Sequence, residues 1–109
     1  MTMKRIAAIL FLLLASIYAQ AFTLFIDPGH GGKDAGAIGK NSKEKDINLA
    51  VALAFGEMVK ANFPDVKVIF TRKTDVFVEL SERANIANKA KADLFVSIHT
   101  NSLPKGRIS

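Results

Sequence analysis

Residues Asp27 to Gly32 read Asp-Pro-Gly-His-Gly-Gly and directly follow an apolar stretch, Thr23-Leu24-Phe25-Ile26. A histidine, His30, therefore stands at the C-terminal lip of a predicted buried strand, in a loop too rich in glycine for side chains to shield it. The only other histidine, His99, ends a second apolar stretch, Asp93-Leu94-Phe95-Val96-Ser97-Ile98. Glu44 closes the glycine-rich loop just ahead of a predicted helix. Ligand and metal sites in open α/β sheets gather at such lips. Two imidazoles and one carboxylate form a donor set that binds catalytic zinc with one position left open. A cation held that way polarises a carbonyl and lowers the pKa of water to about 7.

The spacing alone leaves the matter open. The 30, 44, 99 pattern matches no compact metal motif such as His-Glu-x-x-His. From the residues alone, His99 also reads as a structural histidine at a strand end, and Glu44 as a solvated loop carboxylate between Lys43 and Lys45. Other chemistries fit worse. Gly39-Lys40 lacks the glycine five residues earlier, where Asp34 stands, and is followed by Asn41, so it is no phosphate loop. Gly29-x-Gly31 meets Asp34 where a dinucleotide fingerprint needs its third glycine. Ser97 shares a strand face with His99 but has no Gly-x-Ser-x-Gly elbow. It reads as a small residue near the ligand, or as a core hydroxyl bonded to backbone.

The elements that would carry these residues follow from periodicity. Thr23 to Asp27 reads as a first strand, and Pro28 to Lys45 as a loop holding glycines 29, 31, 32, 36 and 39. Asp46 is placed to cap a helix reaching about Ala61, with Ile47, Ala50, Val51, Ala54, Met58 and Val59 as its apolar stripe. Pro64 ends that segment. Val66 to Thr71 reads as a second strand, and Ser81 caps a second helix to about Lys91 that buries Ile86, Ala87 and Ala90. Asp93 to Ile98 is the third strand. The order β-α-β-α-β implies an α/β fold of three layers with a mostly parallel sheet joined by right-handed crossovers. The continuous apolar runs suggest helices over both faces. Three strands and two helices make a small core, so the architecture reads as truncated.

A chain of 109 residues suggests one domain. Its first 21 residues read as a signal peptide: Lys4 and Arg5, then an apolar run from Ile6 to Tyr18, then Ala19-Gln20-Ala21 as the cleavage site. An uncleaved anchor is the rival, although the run falls short of the roughly 20 apolar residues of a spanning helix. Export to the periplasm or cell envelope follows, with no membrane span after cleavage. Loss of Lys4 and Arg5 lowers the net charge from +5 to +3. That mild, scattered excess, with no Trp and one Tyr, gives nucleic-acid binding little support. With no cysteine, neither a disulfide nor a thiolate ligand is available.

Several motifs occur in a fixed order: Asp27-Pro-Gly-His-Gly-Gly-Lys-Asp34, Gly36-Ala37, Glu44-Lys45-Asp46 with Asn48-Leu49-Ala50, Thr71-Arg72 with Thr74-Asp75, Leu80-Ser81-Glu82-Arg83 with Ala87-Asn88, and Ser97-Ile98-His99-x-Asn101. Together they resemble the zinc-dependent N-acetylmuramoyl-L-alanine amidases of the amidase-3 type, over nearly all of residues 23–107. The resemblance implies Zn2+ on His30, Glu44 and His99. It also implies a peptidoglycan substrate, cut by zinc-activated water at the amide between N-acetylmuramic acid and L-alanine. Residues 22–109 would then be the N-terminal part of the catalytic domain. The family's general-base glutamate has no counterpart in Glu57, Glu79 or Glu82 and is expected beyond Ser109, so the chain alone is expected to be inactive or nearly so. A non-catalytic peptidoglycan- or metal-binding module is the alternative, and a fragment that never folds stably is a third reading. Asp27 would orient His30 or cap the loop, and Asn101 would position the loop after His99 or bind substrate. Arg72 with Asp75 reads as a structural ion pair, and Arg83 as solvent-facing.

Overall fold

β-branched and aromatic side chains without a turn residue suit a pleated strand, and Thr23 to Ile26 forms one. The computed structural model describes residues 2–18 and 21–101. In chain order its elements are α1 (Met3–Tyr18), β1 (Thr23–Pro28), α2 (Glu44–Asn62), β2 (Lys67–Phe70), α3 (Leu80–Lys89) and β3 (Leu94–Ile98). The sheet order is β2-β1-β3, with both pairings parallel. All six residues of β1 are buried, as its central place requires.

Alternation along β1 divides the molecule into layers. Leu24 and Ile26 face α2 and form the core with Ala52, packed round by Phe55, Val59, Val68, Phe70, Val96 and Ile98. Phe25 and Asp27 point the other way. Phe25 stacks on Phe95 with ring centroids 5.7 Å apart, and Asp27 pairs with Arg83 of α3. The three-layer α/β arrangement with β-α-β-α-β order is therefore present. Helices do not cover both faces of every strand, however: Leu94 and Phe95 of β3 are 50% and 41% exposed. Within the described residues β2 and β3 are the sheet's edges.

Two helix starts differ from expectation. Lys43, not Asp46, is the N-cap of α2, and no side chain caps it. The glycine-rich loop does the work instead, since Glu44 N–H donates to Ala37 O at 2.8 Å and Lys45 N–H to Ala35 O at 3.1 Å. Glu79, not Ser81, is the N-cap of α3. The face of α2 differs as well. Glu44, Lys45, Asn48, Ala52 and Gly56 are buried, while Val51 and Met58 are 48% and 62% exposed. Polar groups with partners inside can occupy a buried face, and those of Glu44 and Asn48 set the rotation of the helix. On α3, Ala87 is buried and Ile86 and Ala90 are half-buried, with Arg83 buried beside them.

Residues 3–18 form α1, whose Ile6, Ile9, Leu10, Phe11 and Leu12 are exposed. Among the described residues no helix is long and apolar enough to cross a membrane. The expected cleavage site at residues 19–21 falls largely outside the described residues, as does most of the segment after Thr100.

Candidate metal centre

Parallel pairing delivers both histidines to one lip. Asp27 and Pro28 are in register with Ser97 and Ile98, and Gly29 N–H extends the ladder to Ile98 O at 2.9 Å. The next residues are His30 on one strand and His99 on the other. Gly29 lies so close to His99 that a Cβ there would overlap its imidazole. His30 has φ +63°, a left-handed conformation in which histidine is enriched among non-glycine residues.

Glu44, first in α2, points its carboxylate between the two rings. Its Oε2 lies 3.2 Å from His30 Nε2 and 3.2 Å from His99 Nδ1. The ring centroids are 5.1 Å apart and the ring planes nearly perpendicular, at 86°. One donor atom from each of the three residues lies within 4.8 Å of the others. Gly36, at φ +67°, closes the group from the loop side. A Cβ there would stand 2.7 Å from Glu44 Oε1 and from His30 Cδ2.

Hydrogen bonds decide the charge of Glu44. Burial alone would raise its pKa. It is outweighed by N–H donation from Ala37, the Asn48 amide, N–H donation from Thr100 and the nearby His30, which together hold it at about 2. The carboxylate is thus ionised. His30 Nδ1 meets Asp34 Oδ2 at 2.8 Å. That bond, followed by one from Gly36 N–H, lowers the Asp34 pKa. In the tautomer protonated at Nδ1, an ionised Asp34 accepts that proton in a hydrogen bond and Nε2 faces Glu44, the usual way a carboxylate orients a metal-binding imidazole. Two imidazoles and an ionised carboxylate converging on one point match the borderline-soft donor preference of zinc. A cleft of about 300 Å³ opens beside His30 and His99, walled by Asp34, Phe77, Val78 and Arg83.

The polar residues around this point take parts that sequence reasoning placed otherwise. The Asp27 carboxylate bonds groups other than the His30 ring. It accepts from Thr71 Oγ1, Arg83 Nη1 and Ser97 Oγ, each at 2.8 Å, because strand alternation turns it towards α3. Ser97 therefore bonds a carboxylate and not the backbone. Arg83 is buried, not solvent-facing, and donates to the carbonyls of Val78, Pro28 and His30. Arg72 is buried too and donates to the carbonyls of Pro28, Thr74, Gly29 and Lys45. Its expected partner Asp75 instead binds Lys45 Nζ at 2.8 Å and Gly32 N–H at 2.8 Å. Asn101 is exposed beside a second cleft of about 130 Å³ bordered by Ile38, Glu44, Ile47 and Thr100.

Two site residues escaped the sequence reading, and each carried a signal. Asp34 stands four residues after His30 inside the quoted motif. Asn48 stands one helical turn after Glu44, a spacing that puts both on one face. It donates to Glu44 Oε2 and Gly29 O, and its own oxygen accepts from Thr100 Oγ1.

The chain is similar to known proteins of one family. A family described as N-acetylmuramoyl-L-alanine amidase matches residues 24–109. The chain is 48% identical over 84 residues to an endolysin of Bacillus phage SPP1, covering 77% of this chain and 31% of the relative. It is 44% identical over 79 residues to the sporulation-specific N-acetylmuramoyl-L-alanine amidase of Bacillus subtilis, covering 72% and 31%. Among solved structures, an N-acetylmuramoyl-L-alanine amidase from Clostridium difficile 630 superposes with a TM-score of 0.77 at 40% identity, covering 84% of this chain and 50% of that one. The chain thus spans about a third of these curated relatives and half of that solved structure. By the extent of that match, and by a fold shared with the solved amidases, the chain belongs to the N-acetylmuramoyl-L-alanine amidase family.

Proposed function

We propose that this chain is the metal-binding part of an exported, zinc-dependent peptidoglycan amidase, with His30, Glu44 and His99 as the zinc ligands. The substrate bond is the amide between N-acetylmuramic acid and L-alanine. One observation carries the reading: three donors from two strand ends and a helix start converge within 4.8 Å. When bound, zinc supplies Lewis acidity towards a carbonyl and activates water at neutral pH.

The chain's own residues do the rest. Asp34 holds the His30 proton at Nδ1, Asn48 and Thr100 hold Glu44 as a carboxylate, and the cleft walled by Phe77 and Val78 keeps one side of the site apolar. Asn101, at the rim of the second cleft, would in this reading position the loop after His99 or meet substrate. In this reading none of Asp34, Glu57, Glu79 and Glu82 is the general base. Asp34 is bonded to His30, Glu57 is 78% exposed on α2, and Glu79 and Glu82 border a separate cleft with Lys33 and Ile86. Absence of a general base lowers a rate by ~10²–10⁴-fold, so the chain by itself should bind zinc yet release stem peptides only slowly. Residues 1–21 serve as the export signal in this reading, and the exported product begins at Phe22.

Metal analysis of the purified chain tests the proposal. One zinc per chain is expected, falling to none in His30→Ala and His99→Ala, with stem-peptide release from cell walls well below ordinary enzymatic rates. Absence of zinc from the folded chain, or its retention in both variants, would sink the assignment. Full zinc binding with no release whatever would favour a non-catalytic wall-binding module.

A further inference from the structure

Under the loop that carries His30, Asp27 and Arg83 form an ion pair of 2.8 Å between side chains only 5% and 6% exposed. A buried pair of this kind is weak evidence for stability, because well-packed apolar residues often serve equally well. Apolar residues could not do what this pair does with its remaining groups. Arg83 Nη1 also donates to Pro28 O at 2.7 Å, Nη2 to His30 O at 2.8 Å, and Nε to Val78 O at 2.9 Å. The planar guanidinium thus fixes the backbone on both sides of Gly29, at Pro28 and His30, and again at Val78. Asp27 works on the other strand, accepting from Ser97 Oγ at 2.8 Å, two residues before His99. Its second contact, from Thr71 Oγ1, ties in the end of β2.

We propose that the Asp27–Arg83 pair is a positioning device that sets the separation of the two imidazoles, Arg83 holding the His30 end and Asp27, through Ser97, the His99 end. The proposal rests on the zinc reading above and deepens it. Neither residue would touch the metal. Arginine is required because a lysine ammonium could keep the attraction to Asp27 but lacks the rigid fork that reaches three carbonyls at once.

The test uses the purified chain with zinc affinity measured against a chromophoric chelator, and with cobalt(II) substituted at saturation to read ligand geometry from its visible bands. Arg83→Lys is expected to weaken zinc by about 10- to 100-fold, the range for groups that orient metal ligands, and to shift the cobalt bands. Ser97→Ala, which removes one hydrogen bond, is expected to weaken zinc by about two- to tenfold. Val68→Ala, on the α2 side of the sheet, should lower the melting temperature while leaving affinity and cobalt spectrum unchanged. Wild-type affinity and spectrum in Arg83→Lys would overturn the proposal, as would an equal loss of affinity in Val68→Ala. Should Arg83→Lys fail to fold, unchanged zinc affinity in Ser97→Ala would overturn it instead. A wild-type chain that takes up no zinc would remove the zinc reading itself, a result seen before any variant is compared.

Discussion

Asp34 holds the ring of His30 by a 2.8 Å bond between Oδ2 and Nδ1, four residues along the same loop. In the tautomer protonated at Nδ1, the contact turns Nε2 towards Glu44, where the proposed zinc would sit. Asp34→Ala should therefore weaken zinc binding by about 10- to 100-fold. Folding stability should change by less than about 1 kcal/mol, because the pair is partly exposed. Chelator competition and urea unfolding on the same samples would separate these effects, and unchanged zinc affinity would remove Asp34 from the site.

Acid should destabilise the metal-free chain through Glu44. Its folded pKa of about 2 lies below the ordinary 4.5, so the folded state favours the ionised form. The resulting stability is complete above pH 4.5 and is lost as pH falls towards 2, by at most about 3 kcal/mol. Asp34 and Asp75 are lowered as well and slope the same way. The difference between wild type and Glu44→Gln, followed by urea unfolding across that window, isolates the Glu44 part. Parallel curves would show that Glu44 is not held down.

Asn48 is fully buried and satisfies groups on three segments: Gly29, Glu44 and Thr100. Asn48→Ala leaves their buried polar atoms without this partner and should cost about 1–3 kcal/mol. A stability loss below the error of the unfolding measurement would show that water replaces the amide.

Gly29 is the position where β1 passes His99 most closely. Gly29→Ala must push the imidazole away, and overpacking of this kind costs about 1–3 kcal/mol. Zinc uptake should fall with it, since His99 moves from Glu44. Metal content equal to wild type in a folded Gly29→Ala chain would contradict the close approach.

Much of the fold was legible in the chain. The β-α-β-α-β order followed from apolar runs and helical spacing, and each strand falls within a residue or so of its expected limits. His30 and His99 could be placed at strand ends because each directly follows an apolar run. The stripe of α2 was misjudged because hydrophobicity favoured Val51 and Met58. A buried polar side chain is stable only through partners distant in sequence, which a helical period does not reveal. For the same reason, Arg72 and Arg83 gave no local sign of burial. Apart from Thr74 O and Val78 O close by, their partners are backbone carbonyls 27 to 55 residues away and, for Arg83, the carboxylate of Asp27.

The linear order of residues by itself determined the element sequence, the lip on which both histidines stand, and the chemistry of the three candidate donors, since these depend on side-chain type and local period. Only the tertiary structure decided that Asp34 rather than Asp27 binds the His30 ring, that Glu44 is held ionised, and that buried arginines brace the loop. Parallel pairing puts residues 70 positions apart within 3 Å. Hydrogen bonds made at that range depend on strand register and helix rotation, which arise only when the sheet closes.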